Sequence, residues 1–217
     1  MRGRSIAAAL RRPSSWVRRV ADRRGLLPYR SEPWTPEQWR AGYTSGHLDY
    51  FAGIDELPRY SLLLGYLVFL GGQPEILDVG CGQGLLRARI EGVPFRRYVG
   101  IDPVPAAIEQ ARALEDGRTR ILVGDITDPT LELGHFDVVV CNEVLSVASD
   151  PVAVLARVRD VLRPGGHLLT STWRHPGDEA LWRLVDQRFT RVDAVEAQNP
   201  ANPIALEGWR VTCHRRD

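Results

Sequence analysis

The chain is 217 residues long, 44% hydrophobic and 25% charged, which fits one large globular domain with an N-terminal extension. Three cysteines, Cys81, Cys141 and Cys213, stand far apart with no CxxC pair. That spacing argues against a disulfide framework or a zinc site and suits a reducing cytoplasm.

The formal net charge of +1 hides an asymmetry. Residues 1–30 carry nine arginines against Asp22, a net of +8, so residues 31–217 carry −7. All 28 basic residues are arginine, so the bias reflects coding composition as readily as nucleic-acid binding. Three readings of this basic N-terminus stay open: a disordered tail, a transit peptide, or a basic helix making peripheral membrane contact on acidic lipid. No apolar run is long enough to span a bilayer; the longest, Leu62 to Leu70, is interrupted by Gly65. Residues 31–72 follow as an aromatic-rich helical segment, with a helix expected over Glu56–Leu70, and form the expected lid over residues 73–217.

From residue 75 strands and helices alternate. Ile76–Val79 reads as a buried strand running into a turn with glycines at 80, 82 and 84. Leu85–Glu91 is an expected helix, Tyr98–Ile101 a strand ending at Asp102, and Pro105–Leu114 a helix with an apolar face at helical spacing. Ile121–Val123 closes in Gly124-Asp125, and Phe136–Cys141 is the unbroken apolar run of a central parallel strand. Asp150-Pro151 starts a helix to Leu162, with Asp as N-cap and Pro at the first helical position. Pro164-Gly165-Gly166 then turns into strand His167–Trp173, and Glu179–Phe189 is a helix. Two last strands, near Val192–Val195 and Trp209–Cys213, flank the Pro/Asn loop at 199–203 and pair antiparallel. The pattern predicts an α/β, Rossmann-like three-layer sandwich: a mostly parallel seven-stranded sheet with a C-terminal antiparallel hairpin.

A glycine-rich turn after the first strand binds nucleotide-like ligands in open α/β sheets. The dinucleotide fingerprint needs a sixth-position glycine, and counting from Gly80 that position is Leu85. A P-loop needs lysine, and the chain has none. Neither phosphate-binding turn fits.

Taken in order, residues 76–84, Val99-Gly100-Ile101-Asp102, Gly124-Asp125-Ile126, Phe136–Glu143 and Leu162-Arg163-Pro164-Gly165-Gly166 resemble the successive motifs of the class I S-adenosylmethionine-dependent methyltransferases. The resemblance implies S-adenosyl-L-methionine as cofactor. It implies that Asp102 accepts from the ribose hydroxyls, and that Asp125 and the Ile126 N–H meet adenine with Pro103 on the ring face. Asp78 and the backbone near Gly80, Cys81, Gly82, Gly84 and Asn142 are implied at the methionine ammonium end, and Arg59 at its carboxylate. Such a ligand carries no phosphate, so carboxylates at strand ends face it without repulsion.

A general base is needed only for an acceptor that must first lose a proton. The candidates are Glu143 after the fourth strand, His175 after the fifth, and His47 in the lid. Asp137, opening the fourth strand, reads as a turn or solvent residue. The tail of the fourth strand lacks the tetrapeptide of members that methylate planar nitrogens, so no nucleic acid is expected as partner. The expected function is methyl transfer to a small-molecule acceptor, oxygen favoured, such as a sugar or natural-product intermediate. The alternatives are a non-catalytic donor-binding regulator, a nucleic-acid methyltransferase using the basic tail, and a nicotinamide-dependent oxidoreductase, which Leu85 disfavours.

Overall fold

A computed structural model describes residues 34–174, 178–198 and 208–217. The basic tail at 1–30, His175 and the Pro/Asn loop at 199–203 therefore lie outside the described residues.

Helix α1 (Pro36–Thr44) starts from a capping box: the Thr35 side chain accepts from Gln38 N, and the Gln38 side chain accepts from Thr35 N. Two 3-10 turns, Asp49–Ala52 and Ile54–Glu56, lead into α2 (Leu57–Leu70). Then β1 (Glu75–Val79), α3 (Leu85–Arg89), β2 (Arg97–Asp102), α4 (Pro105–Ala111), β3 (Thr119–Val123) and β4 (Phe136–Asn142) follow in turn. The chain closes through α5 (Pro151–Val161), β5 (Leu162–Trp173), α6 (Asp178–Asp186), β6 (Thr190–Ala197) and β7 (Trp209–Arg215).

The seven strands stand in the order β3-β2-β1-β4-β5-β7-β6. Strands β1 to β5 pair parallel, and β7 is antiparallel to both β5 and β6. The expected sheet and its closing hairpin are thus both present. Residue alternation along each strand sorts the core into two layers. Ile76, Tyr98, Val138, Val140 and Leu169 face Leu63 and Leu67 of α2, Leu86 of α3 and Ile108 of α4. Leu77, Val99, Val139 and Leu168 face Leu155 and Val158 of α5 and Trp182 and Val185 of α6. Helices on both faces explain why the central strands read as continuous apolar runs.

Several boundaries differ from expectation for local reasons. The expected helix to Leu114 changes to a 3-10 turn at Arg112–Leu114. The turn expected at Pro164-Gly165-Gly166 is part of β5, because Gly165 N donates to Arg216 O and Arg216 N to Gly166 O, each at 2.8 Å. Asp137 is no turn residue: its carboxylate accepts from Glu75 N and pairs with Arg163, both at 2.8 Å, tying β1, β4 and β5 at the sheet end away from the glycine turn. Among the described residues no helix is long and apolar enough to cross a membrane.

Candidate functional site

The order β3-β2-β1-β4-β5 reverses direction between β1 and β4, and open α/β sheets bind ligands at the carboxyl ends of strands at such a point. A cavity of about 960 Å³ lies there. The turn after β1, the ends of β2, β3 and β4, the start of α5 and, from the N-terminal segment, Trp34, Trp39, Arg40, Tyr43, Arg59 and Tyr60 line it.

Gly80, Gly82 and Gly84 have φ of 65°, 53° and 76°, the left-handed region that favours glycine. A Cβ on Gly80 would meet Val144 Cγ2 at 2.5 Å, and one on Gly82 would meet the Tyr43 hydroxyl at 2.8 Å. Gly80 and Gly82 line the cavity, with Tyr43 over Gly82; Gly84 does not line it, and a Cβ there would meet Leu114 Cδ1 at 2.5 Å. Cys81 turns inward instead, so that a Cβ on Gly100 would lie 3.0 Å from its sulfur. Burial holds the Cys81 thiol well above its ordinary pKa, and its side chain packs against Gly100 while the residue borders the cavity.

Asp102 is 6% exposed and ends β2 in the cavity wall. Its Oδ2 accepts from Gly82 N at 3.0 Å and its Oδ1 from Val104 N at 2.8 Å. One carboxylate thus pins the glycine turn and the loop carrying Pro103, which also lines the cavity. Burial raises its pKa to about 6, opposed by those two N–H bonds. Asp78 is 1% exposed and accepts the Tyr98 hydroxyl at 2.5 Å. Burial raises its pKa to about 7; the Tyr98 bond lowers it and Asp102 adds to the rise. Sequence reasoning missed Tyr98, since an aromatic in a strand reads as core.

Asp125 and Ile126 line the cavity beyond β3. Asp125 also stabilises its own turn, with Oδ1 accepting from Thr127 N and Thr127 Oγ1 at 2.8 Å. Arg59, 2% exposed on α2, lies with Nε 2.8 Å from Glu56 and donates from Nη1 to Asn142 Oδ1 at 2.6 Å. Glu143 lines the cavity; its Oε2 accepts from Trp173 N at 2.9 Å and its Oε1 lies 3.0 Å from Ser171 Oγ. His47 is exposed beside Trp34, with ring centroids 6.3 Å apart, and is not among the residues lining the cavity. Its placement gives no support to a base role. The wall at Val147–Asp150 and Ala153 was not anticipated; the N-capped start of α5 after β4 was its signal. Among the described residues no cluster of His, Cys, Asp and Glu has the form of a metal site.

A switch-point cavity in a sheet whose last strand runs antiparallel, with carboxylates rather than cations at the glycine turn, defines the Rossmann-like methyltransferase class. The family model described as "Methyltransferase domain" matches residues 77–170, and the chain carries a class I S-adenosylmethionine-dependent methyltransferase domain. It is 32% identical over 139 residues to a ubiquinone biosynthesis O-methyltransferase of Marinobacter nauticus, covering 59% of this chain and 57% of that one. It is 34% identical over 142 residues to a tRNA U34 carboxymethyltransferase of Shewanella loihica, covering 62% of this chain and 41% of that one. The chain thus spans less than two thirds of the length of these curated relatives. Among solved structures, the N-methyltransferase NodS of Bradyrhizobium japonicum with S-adenosyl-L-homocysteine shares the fold at a TM-score of 0.66 and 23% identity, covering 78% of this chain and 91% of that one.

Proposed function

We propose that the chain transfers a methyl group from S-adenosylmethionine to a small-molecule acceptor, at oxygen by preference. The observation that carries this reading is that Asp102 and Asp125, at and just beyond the ends of β2 and β3, line one cavity with Gly80 and Gly82 of the glycine turn.

The residues present fit the donor. Asp102 would accept from the ribose diol, since a carboxylate has lone pairs beyond the two its backbone bonds use. Asp125 and the Ile126 N–H would meet the adenine edge, with Pro103 against the ring. Asp78 and the main chain at Gly80 and Asn142 would hold the ammonium, and Arg59 the carboxylate. When bound, the donor supplies a methyl group already activated on a sulfonium. The protein's share is then alignment and exclusion of water. Tyr43, Trp39 and Trp34 roof the cavity for that purpose, and their faces also attract a cationic group.

Six carboxylates (Glu37, Asp78, Asp102, Asp125, Glu143, Asp150) line the wall against two arginines, Arg40 and Arg59, and Arg59 is paired with Glu56. Such a wall disfavours a phosphate backbone, which supports a small molecule over RNA. Salt-sensitive binding of RNA would contradict that part of the proposal.

The raised pKa values give the reading a pH signature. The donor favours ionised Asp78 and Asp102, whose pKa values lie at about 7 and about 6 in the free protein. Donor affinity therefore rises with pH through that window and levels above it, with proton release on binding. For the donor-free protein the sign is opposite. Between the unfolded carboxylate value of 3.8 and about 7 the folded state holds more protons, so this contribution to stability falls as pH rises. Calorimetry in buffers of different ionisation enthalpy checks the release near pH 6.5; a flat affinity from pH 5 to 8 rules out these two acids as donor contacts.

A further inference from the structure

We infer that Ser171, which is not among the residues lining the cavity, is a positioning residue for the donor pocket, acting through the Asn142-Glu143 turn, and that Glu56 acts on the same turn through Arg59. This rests on the donor reading above and adds residues that the glycine turn and its acids do not reveal.

Asn142 and Ser171 are register partners at the ends of β4 and β5. Asn142 Oδ1 receives two donors, Arg59 Nη1 at 2.6 Å and Ser171 Oγ at 2.7 Å. One donor comes from the lid helix and the other from the sheet, so this amide joins the two layers beside the cavity. Ser171 is fully buried, and Glu56 and Arg59 are buried with it, so these bonds are little weakened by solvent.

Glu143 then has φ of 61°, the only positive value at a non-glycine residue among the described residues. Such a conformation costs about 1–3 kcal/mol and persists where the surroundings over-determine it. Ser171 supplies much of that determination. Glu143 N donates to Ser171 O at 3.1 Å and lies 3.2 Å from Ser171 Oγ, while the Glu143 carboxylate reaches Ser171 Oγ and Trp173 N. The left-handed residue delivers Val144 onto Gly80, where even one added Cβ would clash. A buried hydroxyl thus meets the Asn142 side-chain amide and the Glu143 turn that carries Val144 against Gly80. Both border the site proposed for the donor's amino-acid end. Glu143 on this account holds the turn through Oε2, which accepts from Trp173 N, while its Oε1 shares the single Ser171 hydroxyl proton with Asn142 Oδ1.

The test is calorimetric titration of S-adenosylmethionine and S-adenosylhomocysteine into wild type, Ser171→Ala, Ser171→Thr, Glu56→Gln and the Ser171→Ala/Glu56→Gln pair, with thermal midpoints alongside. Ser171→Ala should weaken both ligands about tenfold while the midpoint falls only a few degrees. Ser171→Thr, which keeps the hydroxyl, should stay within about threefold of wild type. Because both residues act on Asn142, the double variant should lose less than the product of the single losses, by at least about threefold. Wild-type affinity in Ser171→Ala, or losses that simply multiply, overturns the inference. Should Ser171→Ala fail to fold, Glu56→Gln decides: weakened binding in a folded protein supports the relay and unchanged binding refutes it. A wild type that binds neither ligand overturns the donor reading itself, which is distinguishable from an indifferent Ser171→Ala on a binding wild type.

Discussion

Asp102→Ala lowers the affinity for S-adenosylmethionine by about 10- to 150-fold, which is about 1.5–3 kcal/mol. Two losses combine in that figure. The ribose diol loses a charged acceptor, and Gly82 N and Val104 N lose the carboxylate that holds the glycine turn and the Pro103 loop in place. Asp102→Asn separates the two, since its single carbonyl oxygen can hold only part of the set. Its loss of affinity should fall between wild type and alanine. Donor-free stability should change less than binding, because two opposed effects act on it: Gly82 N and Val104 N lose their acceptor, while a desolvation cost is removed. Removing a buried carboxyl whose pKa is raised to about 6 relieves a desolvation cost near neutral pH. Unchanged affinity in Asp102→Ala refutes the ribose assignment.

Gly80→Ala should be strongly disruptive for a change that adds one carbon atom. The φ of 65° costs an L-residue roughly 1–2 kcal/mol, and the added Cβ would sit 2.5 Å from Val144 Cγ2. Overpacking of that kind costs about 1–3 kcal/mol more. Together they predict about 2–5 kcal/mol, a fall in thermal midpoint of roughly 4–20 °C for a domain of this size. Loss of donor binding should accompany it. Adding Val144→Ala should recover the steric part and leave the conformational part, so the two changes are strongly non-additive. A Gly80→Ala protein with the midpoint and donor affinity of wild type contradicts the geometry of the turn.

The sheet was legible because periodicity and punctuation agree along residues 75–173. Strands β1 and β4 are apolar on both faces, Asp150-Pro151 caps and starts α5, and Gly80, Gly82 and Gly84 mark the turn. The β5 start was not legible, because its pairing partner is the main chain of Arg216, some fifty residues away. The N-terminal segment shows the same division. Glu56–Leu70 shows as helical from its apolar body, whereas α1 depended on a Thr35–Gln38 capping box that was not read.

In the site, residues at strand ends were placed by topology alone. Asp78, Gly80, Asp102, Pro103, Asp125, Ile126, Asn142, Glu143 and Arg59 all line one cavity. What those side chains do locally was hidden in long-range partners. Asp78 is held by Tyr98 from the neighbouring strand, Glu143 by Ser171 and Trp173 from β5, and Arg59 by Glu56 and Asn142. His47 drew notice by residue type, but the turn after α1 leaves it exposed beside Trp34 and not among the residues lining the cavity. Residue type nominates candidates; only register and burial sort them.

Calorimetric titration of the wild-type chain with S-adenosylmethionine, S-adenosylhomocysteine and NAD tests the central claim most directly. The expected result is binding of the first two with dissociation constants on the order of micromolar and no heat from NAD. Binding of NAD, or no binding of either adenosyl compound, contradicts the assignment of the glycine turn to a phosphate-free adenosyl donor.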